Sequence, residues 1–170
     1  VRERIAEANP ELTEAAIETT ARDVGIGAVV FANLANQRDK DVDFDIEKAV
    51  AIEGDSGPYL QYSHARCASI RRRAGAAAAG AGAVDYALLA TDHEWAVARR
   101  LLEYPDHVVR AAHGSEPHVI AHYLLDLAGD FSRWYTAGNG DASLRVLVDD
   151  PPVRAARLAL VATVQAVLAQ

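Results

Sequence analysis

The stretch that decides the fold is Glu53–Arg73, E-G-D-S-G-P-Y-L-Q-Y-S-H-A-R-C-A-S-I-R-R-R. Gly54 and Gly57 permit a tight turn, and Pro58 suits the first turn of a helix, where a missing N–H costs least. Asp55 or Ser56 can cap the free N–H groups there. No breaker follows before Gly75, so the pattern predicts a helix over residues 58–74. At about 100° per residue, Tyr59, Tyr62, Arg66, Ile70 and Arg73 share one narrow face. Guanidiniums make bidentate phosphate contacts and aromatic rings stack on unpaired bases, so two phenols beside two guanidiniums suit RNA. The same residues fit a plainer reading, with the tyrosines packed inward and the arginines in solvent. Both readings stay open on these residues alone.

Working outward, the flanks read as helices joined by short loops. Residues 1–9 look helical. Asn9-Pro10 forms a helix start, with Glu11 favourable near the positive end of the dipole, and that helix is expected to stop at Gly25. The apolar segment Ile26–Leu34 allows a strand or a buried helix, and Ala28 and Ala32 favour helix. Residues 36–45 are polar and turn-rich, and Asp45 can cap a short helix over 46–52. The run 75–83 alternates alanines and glycines and reads as a flexible connector. Thr91-Asp92-His93-Glu94 is a capping box for a helix to Glu103, which Pro105 interrupts. A short helix over 106–112 follows. Ser115 is the expected cap of a long helix over 116–137, ended by Gly138-Asn139-Gly140. Asp150-Pro151 opens a last helix with Val153, Ala156, Leu160, Val164 and Val167 inward. The expected architecture is all-α, a helical bundle.

Composition narrows the function classes. Hydrophobic residues make up 51% of the 170 and charged residues 24%, which is globular rather than disordered. No apolar run approaches the ~20 residues that span a bilayer. Arg2, Glu3, Arg4 and Glu7 interrupt any leader-like stretch. Cys67 is the single cysteine, so no intrachain disulfide forms and no cysteine pair offers a metal site. A cytoplasmic protein is expected. The chain begins with Val1 and has no methionine, which suggests a processed or excised piece. The net charge of −7 argues against indiscriminate nucleic-acid binding, so an RNA partner needs local basic patches. Arg71–Arg73 and Arg99–Arg100 are candidates, unless each is only a solvated helix face.

Three motifs tempt and fail. Gly54-Asp55-Ser56-Gly57 looks like a serine-protease string, but the first histidine, His64, follows the serine, and Pro58 stands where a hydrolase elbow needs glycine. His118 and His122 have metal-ligand spacing without an accompanying H-E-x-x-H frame. Gly25-Ile26-Gly27 lacks the third glycine of a dinucleotide loop, as Val30 holds that place.

The run G-D-S-G-P-Y-L-Q-Y-S-H-A-R-C-A-S-I resembles the arginyl-tRNA synthetase pattern G-x-T-x-x-Y-L-Q-Y-x-H-x-R-x-x-S-I. Tyr59, Leu60, Gln61, Tyr62, His64, Arg66, Ser69 and Ile70 fall in register. Upstream, Gly25, Gly27, Ala28, Phe31, Leu34, Arg38, Lys40, Asp41, Phe44 and Asp45 are similar to the same family's pattern. Val30 and Ile46 depart from it, where many members carry lysine and tryptophan. Downstream the likeness continues through Pro105, Glu116-Pro117-His118, Tyr123, Tyr135 and Arg157-Leu158, and it covers nearly the whole chain.

That resemblance implies a C-terminal fragment of a class I enzyme. Residues 1–55 would be the end of the catalytic region and a junction. Residues 56–170 would be a helical anticodon-binding domain of the DALR type, truncated at its C-terminus. The implied parent activates arginine with ATP and Mg and transfers it to its tRNA. The H-I-G-H and K-M-S-K-S motifs are absent from these residues, so the resemblance implies no catalytic residue, metal or cofactor here. ATP and arginine would bind a core upstream. The implied partner is the anticodon arm of arginine tRNA, with neither DNA nor a membrane. Tyr59, Tyr62 and Tyr135 are the stacking candidates, and Arg66 and Arg73 the phosphate candidates. The alternative is a helical protein-interaction bundle without RNA binding. A relative of the cysteinyl enzyme's anticodon domain is disfavoured by Y-L-Q-Y.

Overall fold

The computed structural model describes residues 1–8, 10–42, 44–75 and 83–170. Among them the chain forms α1 (Arg2–Ala8), α2 (Glu14–Leu34), α3 (Ile46–Ala49), α4 (Gly57–Ala74), α5 (Asp92–Leu102), α6 (Tyr104–Gly114), α7 (His118–Gly140) and α8 (Pro151–Leu168). The 3₁₀ turns Tyr86–Leu88 and Ala142–Leu144 lie in the connections. No strand occurs among the described residues, and the all-α expectation holds. The expected connector over 75–83 lies, except for its two ends, outside the described residues.

Local side-chain caps set most of the helix starts, as expected. Ser56 accepts from the Tyr59 N–H ahead of Pro58. Asp45 accepts from Glu47 and Lys48, and Asp150 from Val153. Thr91 and Glu94 close the capping box in both directions. Each such bond satisfies a donor that the helix itself cannot.

Several boundaries differ from expectation. The helix α2 starts after Thr13, whose hydroxyl accepts from Ala16, while Pro10 and Glu11 lie in a turn. Asn9 is outside the described residues. Secondly, α2 does not stop at Gly25 but runs on to Leu34, so Ile26–Leu34 is helix and not strand. At Gly27 the helix crosses α4 closely: a Cβ on Gly57 would stand 2.9 Å from the Gly27 carbonyl oxygen. Thirdly, Ser115 is not the cap of α7. It closes α6 in the left-handed conformation (φ 53°, ψ 45°), with Glu116 N–H bonded to the Ala111 carbonyl and Ser115 N–H to that of Ala112. That is a Schellman ending, and α7 starts after Pro117, which offers no side-chain cap. Fourthly, α7 continues through Gly138 to Gly140. The short helix after Asp45 is also briefer than expected, ending at Ala49.

The core lies among α4, α5, α7 and α8. Cys67 and Ile70 of α4, Val97 of α5, Tyr123, Leu127, Phe131 and Trp134 of α7, and Ala156, Leu160, Val161 and Val164 of α8 form one buried cluster. Burying these side chains is the main favourable term for a bundle of this size. By contrast, α2 buries only Ile17 and Ala28, and its Ile26, Val29, Val30 and Leu34 are exposed.

Candidate nucleic-acid interface

The helices α4 and α7 run side by side in the same direction. Tyr59 shares a hollow with Leu125 and Gly129, Arg66 reaches Tyr135, and Arg73 shares a cleft with Gly138 and Asn139. Each step forward on α4 thus meets a residue further along α7. This register brings residues distant in sequence onto one surface.

At the centre of that surface, the Arg66 guanidinium lies between two phenol rings. Its carbon stands 4.5 Å from the centroid of Tyr62 and 4.3 Å from that of Tyr135. Arg66 Nη2 also donates to the Tyr62 hydroxyl at 2.6 Å. Tyr62 sits one turn before Arg66, as neighbours at i and i+4 require, and Tyr135 comes from α7. Cation–π contacts at exposed sites are worth about 0.5–1 kcal/mol each, enough to bias both rings toward one arrangement. Tyr62 remains 47% exposed, and Tyr135 also packs at a tilt against buried Phe131, 6.5 Å between centroids.

Beside this stack lies a cleft of about 280 Å³ lined by Ile70 and Arg73 of α4, Tyr135 and Gly138 of α7, and Arg145, Val146 and Leu147 of the loop that follows. Its lining has two arginines and no carboxylate, on a chain whose net charge is −7. Arg73 is exposed and without an ion-pair or hydrogen-bond partner among the described residues.

The loop that lines this cleft with Arg145 is tied to the bundle. Trp134 Nε1 donates to the Leu144 carbonyl at 3.0 Å, and Arg157 Nη1 donates to the carbonyls of Ser143 and Arg145, each at 2.7 Å. Arg157 is itself ion-paired through Nε with Glu94, and both side chains are buried. Burial alone would raise the Glu94 pKa. The Thr91 and Arg157 hydrogen bonds and the Arg157 charge outweigh it and hold the carboxyl below its ordinary value. The Arg145 Nε in turn donates to the Gly138 carbonyl at 3.0 Å. A Cβ on Gly138 would stand 3.2 Å from the Arg145 Cα, which is why a helical glycine, not a helix-ending one, occupies that place.

Of the residues expected to contact RNA, Tyr62, Arg66, Arg73 and Tyr135 come together. Tyr59 does not. It lines a separate hollow with Glu53, Asp55, Asp126 and Arg133, an environment hostile to a polyanion. The expected face is therefore not uniform: Tyr62 and Arg73 face out, Ile70 is buried, and Arg66 is engaged with two rings rather than free. The second expected basic patch is half neutralised: Arg100 bridges Asp130, Glu103 and Asp126, while Arg99 is exposed and, among the described residues, bonds only the Trp95 carbonyl. Sequence reading missed Arg145 and the Glu94–Arg157 pair. The capping box gave Glu94 its place without showing what its other oxygen holds.

His118 and His122 meet edge to face at 5.9 Å, and His122 Nε2 is hydrogen-bonded with the Ala35 carbonyl at the end of α2. No cluster of three or more His, Cys, Asp or Glu suited to a metal occurs among the described residues. No described helix is long and apolar enough to cross a membrane.

The DALR anticodon binding domain family matches residues 60–170. The arginine–tRNA ligase of Limosilactobacillus fermentum is 40% identical over 169 residues, covering 98% of this chain and 28% of that protein. That of Thermus thermophilus is 40% identical over 166 residues, 97% of this chain and 27% of its own length. The solved arginyl-tRNA synthetase of Thermus thermophilus superposes with a TM-score of 0.87 at 40% identity, over 99% of this chain and 28% of that one. The Plasmodium falciparum enzyme superposes at 0.73 with 20% identity, over 98% and 28% of the two chains, and shows the shared fold. The chain thus spans a little over a quarter of the length of the relatives it matches.

Proposed function

The chain belongs to the DALR anticodon-binding domain family of arginyl-tRNA synthetases, and from that premise we propose that it binds the anticodon arm of an arginine tRNA. The observation that carries this reading is the Tyr62–Arg66–Tyr135 stack beside a carboxylate-free arginine cleft on an acidic body. Tyr62 and Tyr135 offer ring faces to bases splayed out of the loop, and Arg73 meets phosphate. Arg66 holds the two rings in register for that task. Tyr59 is left out of this reading because of its acidic surroundings.

The same reading makes residues 1–55 a junction to a catalytic region and residues 56–170 the RNA-binding bundle. The exposed apolar side of α2 supports this, since a row of Ile26, Val29, Val30 and Leu34 is suited to packing against protein. In a whole arginine–tRNA ligase, ATP with Mg and arginine would bind outside these residues, in the cytoplasm, and this chain would position tRNA without forming or breaking a bond.

The test is binding of this chain to an RNA hairpin carrying an arginine anticodon loop, followed by fluorescence anisotropy across a salt series. Phosphate contacts predict affinity that falls steeply with salt. Tyr135→Ala is expected to cost about 1–3 kcal/mol per base that it stacks. Absence of salt-dependent binding would overturn the reading and favour a protein-interaction bundle.

A further inference from the structure

Resting on the proposed RNA-binding role, we propose that Arg145 is a further phosphate-contacting residue, in the same cleft as Arg73, and that the buried Glu94–Arg157 pair sets its position. Arg145 is exposed and lines the cleft. Its Nε is spent on the Gly138 carbonyl, which fixes the plane of the guanidinium. Both Nη groups remain without a hydrogen-bond partner among the described residues. A planar fork with its outer edge free and its inner edge anchored is arranged for a phosphate oxygen pair. The same cleft is lined by Arg73 from α4, so a strand laid along it meets two cations from different elements.

The backbone that carries Arg145 is not left to its own flexibility. Its carbonyl and that of Ser143 both accept from Arg157 Nη1. Arg157 in turn is held by Glu94, a residue fixed by the capping box at the start of α5. Buried ion pairs are weak evidence of net stability gain, because desolvation offsets much of the attraction. Here the pair has a second effect: it places two carbonyls, and so one surface arginine, relative to α7. Glu94 and Arg157 are positioning residues and touch no RNA themselves.

The experiment uses this full chain and the RNA hairpin with the arginine anticodon loop. Arg145→Ala is expected to weaken binding about tenfold, as for loss of a charged hydrogen bond, and to reduce the slope of log affinity against log salt by about 0.7–0.9. Tyr135→Ala serves as the arm for the underlying reading. If the wild-type chain does not bind, that reading fails and this inference falls with it. If wild type binds and Tyr135→Ala weakens it while Arg145→Ala changes neither affinity nor slope, the Arg145 assignment alone is overturned. Arg157→Lys keeps a cation opposite Glu94 but cannot reach both carbonyls. It is expected to retain native helicity by circular dichroism, to weaken binding several-fold, and to make a further Arg145→Ala change nearly silent. Fully additive losses in the double variant would overturn the positioning role.

Discussion

Gly57 packs against Gly27 so closely that a Cβ on Gly57 would stand 2.9 Å from the Gly27 carbonyl oxygen and 2.9 Å from the Phe31 Cβ. One contact is to backbone, which cannot swing aside. Gly57→Ala is therefore expected to push α2 away from α4 and to destabilise by about 1–3 kcal/mol. Gly25→Ala is the control. Nothing lies within 4 Å of its added methyl, and it should stabilise by up to ~1 kcal/mol through helix propensity. Urea midpoints of the two variants decide this. Equal midpoints would mean that the helices do not touch there in solution.

Ser115 holds a left-handed backbone, at φ 53°, without being glycine. That conformation costs an L-residue about 1–2 kcal/mol, and glycine gives back part of this through its unfolded-state entropy. Ser115→Gly is expected to raise stability by roughly 0.5–1 kcal/mol, read as a higher thermal midpoint. A lower midpoint would show that the Schellman turn is not populated.

Glu94 makes the fold acid-sensitive. Its folded carboxyl titrates below the ordinary value of 4.5, so the unfolded chain takes up this proton first as pH falls. The stabilisation is fully present above that ordinary value and is lost as pH drops through the lower folded value. Glu94→Gln leaves a buried, unpaired Arg157 and should cost about 3–5 kcal/mol at neutral pH. It should also flatten the acid limb of the stability profile. Urea unfolding of both proteins at several pH values measures this, and parallel acid limbs would contradict it.

Cys67 is buried, and burial pushes its thiol up to about 12. Thiolate is the reactive form, so the folded chain should resist a maleimide reagent and react promptly in urea. Mass spectrometry of the two samples gives the answer. Rapid native labelling would mean that the α4 face of the core opens readily.

The elements that were legible in the sequence are those decided within a few residues. Ser56, Asp45, Thr91 with Glu94, and Asp150 each accept from an N–H two or three positions on, and the side-chain types announce it. What was not legible is decided by distant partners. Gly25 and Gly138 read as stops by composition, yet both stand inside helices, and Arg145 packs so close to Gly138 that a side chain there would crowd it. Ser115 read as a start because serine caps helices, but the left-handed residue was needed one place after Gly114. Tyr59 and Arg66 share a helical face, and only the register of α7 separates them, giving one an acidic hollow and the other Tyr135. Glu94 and Arg157 lie 63 positions apart, and no local pattern joins them.

The two arginines of the cleft stand on a body that carries excess negative charge. A diffusing polyanion meets repulsion over most approach angles and attraction through one narrow window. Under the proposed RNA-binding role, capture would be gated by orientation before any base is touched, and misaligned encounters would be shed rather than retained.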